Sequence, residues 1–126
     1  MDRVLVAEDS FALSNLLSFV LTNAGFQVTQ QHTGTGAMEC AVSEEFDAIL
    51  LDQQMPGMLG TEVLAALRSS GPNKRTPVIL CTAKTHELDL EQICEEMNVT
   101  DVFHKPFSPK DLVSRLKEEL HPTECA

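Results

Sequence analysis

Neither tryptophan nor tyrosine occurs in the 126 residues, and there are only six phenylalanines. A chain this poor in large aromatic faces has no Trp or Tyr to stack on a flavin. Long apolar stretches are also missing. None approaches the roughly eighteen residues of a membrane span. The start, Met1-Asp2-Arg3, runs directly into a strand-like segment. It lacks the apolar middle and small-residue cleavage site of a secretory leader, so a cytoplasmic location is expected. The four cysteines, at 40, 81, 94 and 125, form no C-x-x-C pair, which argues against a zinc or thioredoxin-type motif. Cys40, Cys81 and Cys94 read as small core residues and Cys125 as part of an exposed tail. The histidines at 32, 86, 104 and 121 show no ligand spacing. Basic residues are few, nine against nineteen acidic, for a net charge of -10. Such a surface repels nucleic acid, so this chain is expected not to bind it directly. It leaves room for a basic partner or a cation.

What is present is a regular alternation. Val4-Leu5-Val6-Ala7, Ala48-Ile49-Leu50-Leu51, Val78-Ile79-Leu80-Cys81 and the segment from Val99 to Phe103 are near-continuous apolar runs. Runs of that kind belong to parallel strands covered on both faces. Gln27 to Gln31 is polar and fits an edge strand. Between them lie helical patterns. Leu13, Leu16, Leu17, Val20 and Leu21 share one face, with Gly25 as the stop. Ala37, Cys40 and Ala41 mark a second helix after Gly34 and Gly36, and Val63, Leu64 and Leu67 a third. Leu90, Ile93, Cys94 and Met97 mark a fourth. Leu112, Val113, Leu116 and Leu120 mark a fifth, opened by Ser108 as N-cap and Pro109 at the first helical position. The expected fold class is α/β: a doubly wound five-stranded parallel sheet with helices on both faces, a flavodoxin-like fold whose common strand order is 2-1-3-4-5.

In a parallel sheet all strand C-termini point toward one crevice. Here they deliver Glu8-Asp9, Asp52, Thr82-Ala83 and Lys105-Pro106. Three carboxylates that meet this way must raise a pKa or gather a cation. A hard divalent cation with oxygen ligands, Mg2+, resolves the repulsion. An Asp carboxylate is also a competent nucleophile toward phosphorus, and phosphoryl transfer chiefly needs positioning and charge neutralisation. Each residue also has an ordinary reading: Glu8-Asp9 as a helix cap, Asp52 as a strand-to-loop carboxylate, Thr82 as a strand residue. Their joint occurrence at successive strand ends favours chemistry.

The stretches VLVAEDS, DAILLDQQMPGMLG, PVILCTA and HKPF resemble the receiver domain of two-component response regulators, chemotaxis-receiver-like, across about residues 2 to 120. The resemblance implies that Asp52 is the phosphoacceptor. It implies that Asp9 and Asp52 bind Mg2+ directly, with the Gln54 backbone carbonyl, while Glu8 holds the ion through water. Thr82 is the implied switch hydroxyl, and Lys105 the lysine that pairs with a phosphoryl oxygen. The Lys105-Pro106 bond is expected to be cis. The resemblance also implies that Gln54 and Lys84, whose equivalent positions in receivers influence how long the phosphoryl group survives, do so here. One departure stands out. The family's switch aromatic lies three residues before the lysine, and here that position is Val102. Phe103, the next residue, points to the opposite face by strand alternation. Output is then expected through Thr82 and the following loop, or through another surface.

The implied organisation is a receiver domain over 1-120 and a tail over 121-126. The implied function is a switch, not an enzyme beyond assisting its own phosphotransfer and dephosphorylation. Its partners are a sensor histidine kinase or histidine phosphotransfer protein, and a downstream protein or missing output domain that reads the helix 4, strand 5 and helix 5 face, about residues 86 to 120. A monomer or a weak phosphorylation-dependent dimer is expected. A phosphate-independent interaction module of the same fold is the alternative, and it predicts loss of an acidic residue, the acceptor or the lysine. A flavodoxin-type cofactor binder needs a phosphate cradle where Glu8-Asp9 stands. A haloacid-dehalogenase-like phosphatase needs a second Asp where Gln54 stands.

Overall fold

The computed structural model describes residues 2–83 and 90–122, with the side chains of all but positions 90, 91 and 94. The expectations placed on Lys84, His86, Cys125, and the side chains of Leu90 and Cys94, lie outside what is described, as do residues 123–126 of the tail. Among the described residues, ten elements alternate: β1 (Arg3–Ala7), α1 (Phe11–Asn23), β2 (Gln27–Gln31), α2 (Gly34–Ser43), β3 (Ala48–Asp52), α3 (Gly60–Ser69), β4 (Val78–Thr82), α4 (Leu90–Met97), β5 (Asp101–His104) and α5 (Pro109–Leu120). The strands form one parallel sheet in the order β2-β1-β3-β4-β5. Both expectations, class and order, hold.

Strand alternation divides the apolar residues between two cores. Leu5, Ile49, Leu51, Val78 and Leu80 pack toward Ala37, Ala41, Val63, Leu64 and Leu67 of α2 and α3. Val4, Val6, Leu50, Ile79 and Cys81 pack toward Leu17, Leu21, Leu112 and Leu116 of α1 and α5. β3 and β4 are buried throughout because both faces are covered. β2 is only partly buried, as an edge strand should be.

Helix ends follow local chemistry. Ser10 caps α1, its side chain accepting from the Leu13 N–H. Gly25, at φ +100°, turns the chain out of α1, while the Phe26 N–H donates to the Leu21 carbonyl and the Gly25 N–H to that of Thr22. Thr33 caps α2 by accepting from the Gly36 N–H. The helix therefore opens at Gly34, earlier than a start after Gly36. Gly34 is required there, since a Cβ would lie 2.0 Å from the Met58 carbonyl oxygen.

Three further details differ from the sequence expectation. Leu16 is 46% exposed although its spacing groups it with the buried face of α1. That face is narrower than the run of leucines, and Ser14, Leu17 and Leu21 fill it. Ser108 stands at the N-cap of α5 with Pro109 behind it, but its side chain makes no capping bond. β5 spans Asp101–His104 rather than starting at Val99. Asn98, at φ +54°, ends α4, and Val99 and Thr100 are spent bringing the chain back to the sheet.

Candidate functional site

The C-terminal ends of β1, β3, β4 and β5 form one rim. Glu8 extends the pairing of β1 by one residue, its N–H donating to the Gln31 carbonyl. Asp52 is the last residue of β3 and is 4% exposed. Lys105 follows β5, and its N–H donates to the Thr82 carbonyl at 2.8 Å. The Lys105-Pro106 peptide is cis, as expected.

The lysine holds two carboxylates at once. Its Nζ lies 2.7 Å from Glu8 Oε1 and 3.0 Å from Asp52 Oδ2. The other Glu8 oxygen accepts from the Ser10 N–H at 3.1 Å, so a buried carboxylate is fully engaged. Asp9 sits at the exposed edge. One ligand atom each from Glu8, Asp9 and Asp52 lies within 4.8 Å of the others. Five of the sequence-predicted groups therefore fall as follows: Glu8, Asp9, Asp52 and Lys105 meet directly, and Thr82 is buried at the adjoining strand end, one position past Cys81, which lies opposite Asp52 in the register. Gln54 is exposed on the loop that leaves Asp52.

The charges act on one another. Burial, and the negative charge of Glu8, push the Asp52 carboxyl up to about 7 despite Lys105. Burial also acts to raise Asp9, but hydrogen bonding with Glu8 and Asp52 and the nearby lysine outweigh it and hold Asp9 below the usual carboxylate range. Lys105 is disfavoured by burial, yet its two carboxylate partners raise it above an ordinary lysine. The cluster thus carries more negative charge than one lysine neutralises. Its donors are hard oxygens and one side, at Asp9, is open to solvent. That combination suits a hard divalent cation.

The sequence reading missed the contacts that support this cluster. His32 Nδ1 lies 3.0 Å from the Glu8 carbonyl oxygen, and its ring stacks on Phe11 at 4.1 Å between centroids. Gln53, 2% exposed, accepts from the Thr61 N–H at 2.9 Å and donates to the Thr61 hydroxyl at 3.3 Å. It thereby closes the base of the loop that carries Gln54. The tip is held by the Gly34 N–H, which donates to the Pro56 carbonyl. A polar residue beside an acceptor was the only available hint for Gln53, and nothing marked its partner.

The sequence profile described as the response regulator receiver domain matches residues 4–117. The chain belongs to that family. Receivers are switches of two-component signalling rather than turnover enzymes. Among curated relatives, the DNA-binding response regulator MtrA of Mycobacterium tuberculosis is 35% identical over 118 residues, covering 94% of this receiver and 50% of MtrA. The sensory transduction protein RegX3 of Mycolicibacterium smegmatis is 34% identical over 120 residues, covering 95% and 51%. This receiver spans about half the length of both. Among solved structures, chemotaxis protein CheY4 of Vibrio cholerae superposes with a TM-score of 0.84 at 31% identity, covering 94% and 98% of the two chains. The receiver domain of sensor histidine kinase PA1611 from Pseudomonas aeruginosa superposes at 0.82 with 26% identity, covering 93% and 95%. That structure has a magnesium ion coordinated in its active site cleft.

Val102 and Phe103 fall on opposite faces of β5, as strand alternation requires. Val102 packs against the α2 and α3 core. Phe103 packs on the α1 and α5 side and meets Phe107 edge to face at 5.7 Å. No helix among the described residues is long and apolar enough to cross a membrane.

Proposed function

We propose that this receiver is switched by phosphorylation of Asp52. The observation that carries the reading is the Lys105 ammonium held between Asp52 and Glu8, with Asp9 alongside. In the reaction, an Asp52 carboxylate oxygen bonds to phosphorus as the phosphorus–nitrogen bond of a donor phosphohistidine breaks. The leaving imidazole nitrogen keeps the electron pair and takes a proton. Lys105 is already in contact with Asp52, so it needs little movement to pair with a phosphoryl oxygen. Thr82 supplies a hydroxyl at the neighbouring strand end. Asp9 and Asp52, the Gln54 carbonyl and, through water, Glu8 would hold Mg2+. The ion supplies positive charge that neutralises the acidic cluster and the developing charge on the phosphoryl oxygens. Buried charge favours protonated Asp52, so the site's positive charges also keep the nucleophile ionised.

The signalling domain covers residues 1-120, with 121-126 as a tail. The receiver works in the cytoplasm, where a sensor histidine kinase or histidine phosphotransfer protein supplies the phosphoryl group. The α4, β5 and α5 face transmits the change, to a downstream protein or to an output domain such as the length of MtrA and RegX3 allows. Phosphorylation shifts an equilibrium that exists beforehand. With Val102 at the aromatic position, Thr82 and the segment after it carry the transmission.

The test is the intact mass after incubation with Mg2+ and a small-molecule phosphodonor. One phosphoryl group is expected on the native chain and none on Asp52→Asn. Failure with that donor and also with a phosphorylated kinase would leave the phosphate-independent module as the reading.

A further inference from the structure

Residues 10 to 38 contain no Asp, Glu, Lys or Arg, although the chain carries 28 such residues elsewhere. That stretch includes all of α1. The inner side of α1 is buried through Ser14, Leu17 and Leu21. The outer side is not a charged solvent face, as a surface helix normally has. Phe11 and Phe19 are each 64% exposed and Leu16 is 46% exposed. Ala12, Leu16, Phe19 and Asn23 follow one another at the alternating spacing of a helix-pairing seam, and all four are exposed. A helix that is uncharged and largely apolar all round belongs in an interior.

Beside this seam lies a mainly apolar groove of about 430 Å³ between α1 and α5, lined by Val20, Asn23, Ala24, Lys110, Val113 and Ser114. Knob and hole therefore sit side by side on one face. A two-fold axis through such a face places each knob in the other copy's hole, which is the condition for a self-complementary contact. Charge points to the same occupant. Two molecules of net charge -10 repel wherever acidic surfaces meet. The seam brings no acidic group to the contact, and the charged residue lining the groove, Lys110, is positive. A partner recognised by charge would need complementary groups on the seam, and it has none.

We propose that the outer face of α1 is a homodimer interface in which Phe19 of each copy enters the α1–α5 groove of the other, beneath Lys110. The Lys110 ammonium then faces an aromatic ring. One helix and one groove per copy make a small interface, so the dimer is weak and concentration-dependent. This contact leaves the acidic cluster untouched, takes from α5 the side that borders α1 at Lys110, Val113 and Ser114, and does not depend on phosphorylation.

Sedimentation equilibrium over micromolar to near-millimolar concentrations tests it. The native chain should pass from monomer to dimer. Phe19→Glu, at an exposed position outside the core, should keep the native circular dichroism and melting temperature while weakening association by more than about tenfold. Ser114→Glu, at an exposed position in the groove, should do the same. A native chain that stays monomeric throughout overturns the proposal, and so does a dimer that survives both substitutions. If the native chain is monomeric and Phe19→Glu slows transfer from a phosphorylated kinase but not from a small-molecule donor, the face belongs to the phosphodonor and the homodimer is rejected.

Discussion

For the phosphorylation proposed above, Asp52 must be buried enough to be shielded and ionised enough to attack phosphorus, and its surroundings press these demands against each other. Its carboxyl sits near 7 through burial and the Glu8 charge, with Lys105 opposing both. A cation that binds through Asp52 must displace the proton carried below that value. Mg2+ affinity is therefore expected to rise with pH, by up to about tenfold per unit below about pH 7, and to level off above it. Titration calorimetry in buffers of different ionisation enthalpy should detect proton release at about pH 6 and almost none at about pH 9. Lys105→Met should slow phosphotransfer by about 10²-fold, as removal of a single preorganised charge partner does elsewhere. Rates measured at saturating donor would show it. The buried cysteines should be silent. Burial pushes the Cys81 thiol up to about 12 and the Cys40 thiol to about 11. Since the thiolate is the reactive form, neither should be alkylated in the native chain near neutral pH. Mass mapping after iodoacetamide treatment, with and without denaturant, checks this.

At the scale of elements, buried polar groups hold the frame that presents the site. Asn73, fully buried, accepts from the Phe46 N–H and the Thr76 hydroxyl and donates to the carbonyls of Ala41 and Glu44. It ties the end of α2 and the approach to β3 to the connection before β4. Asn73→Ala leaves several of these groups without partners and should cost about 2–4 kcal/mol. Denaturant unfolding followed by circular dichroism measures it, as there is no tryptophan to follow. Arg68 on α3 works similarly, donating to the carbonyls of Met97, Asn98, Asn73 and Thr76. It fixes the C-terminal end of α4 to α3. The loop after β3 is held at its base by Gln53 and at its tip by Gly34. Gly34→Ala should disturb that loop, because its Cβ would meet the Met58 backbone. Lower Mg2+ affinity with the overall secondary structure intact is the expected outcome, read by calorimetry and circular dichroism.

For the whole molecule, the parallel sheet explains why residues as distant as Glu8 and Lys105 meet. Every strand runs the same way, so every strand end reaches one rim. The sequence alone determined much of this. Uninterrupted apolar runs alternating with helical spacing dictate a covered parallel sheet, because only such a sheet buries both faces of a strand. An acidic pair, a lone Asp, a hydroxyl and a lysine at successive strand ends point to the rim where they meet as the candidate site. Other matters needed the tertiary structure. Spacing could not show that Leu16 faces outward, since the width of the buried stripe on α1 is set by what packs against it. The Gln53–Thr61 clasp, the contact of His32 with the Glu8 carbonyl, and the sharing of Lys105 between Glu8 and Asp52 all join residues from separate elements. Their distances follow from packing, which periodicity along a chain does not encode. The upward push on Asp52 belongs to the same class. It comes from burial and from a neighbouring charge, and both exist only once the strands lie side by side.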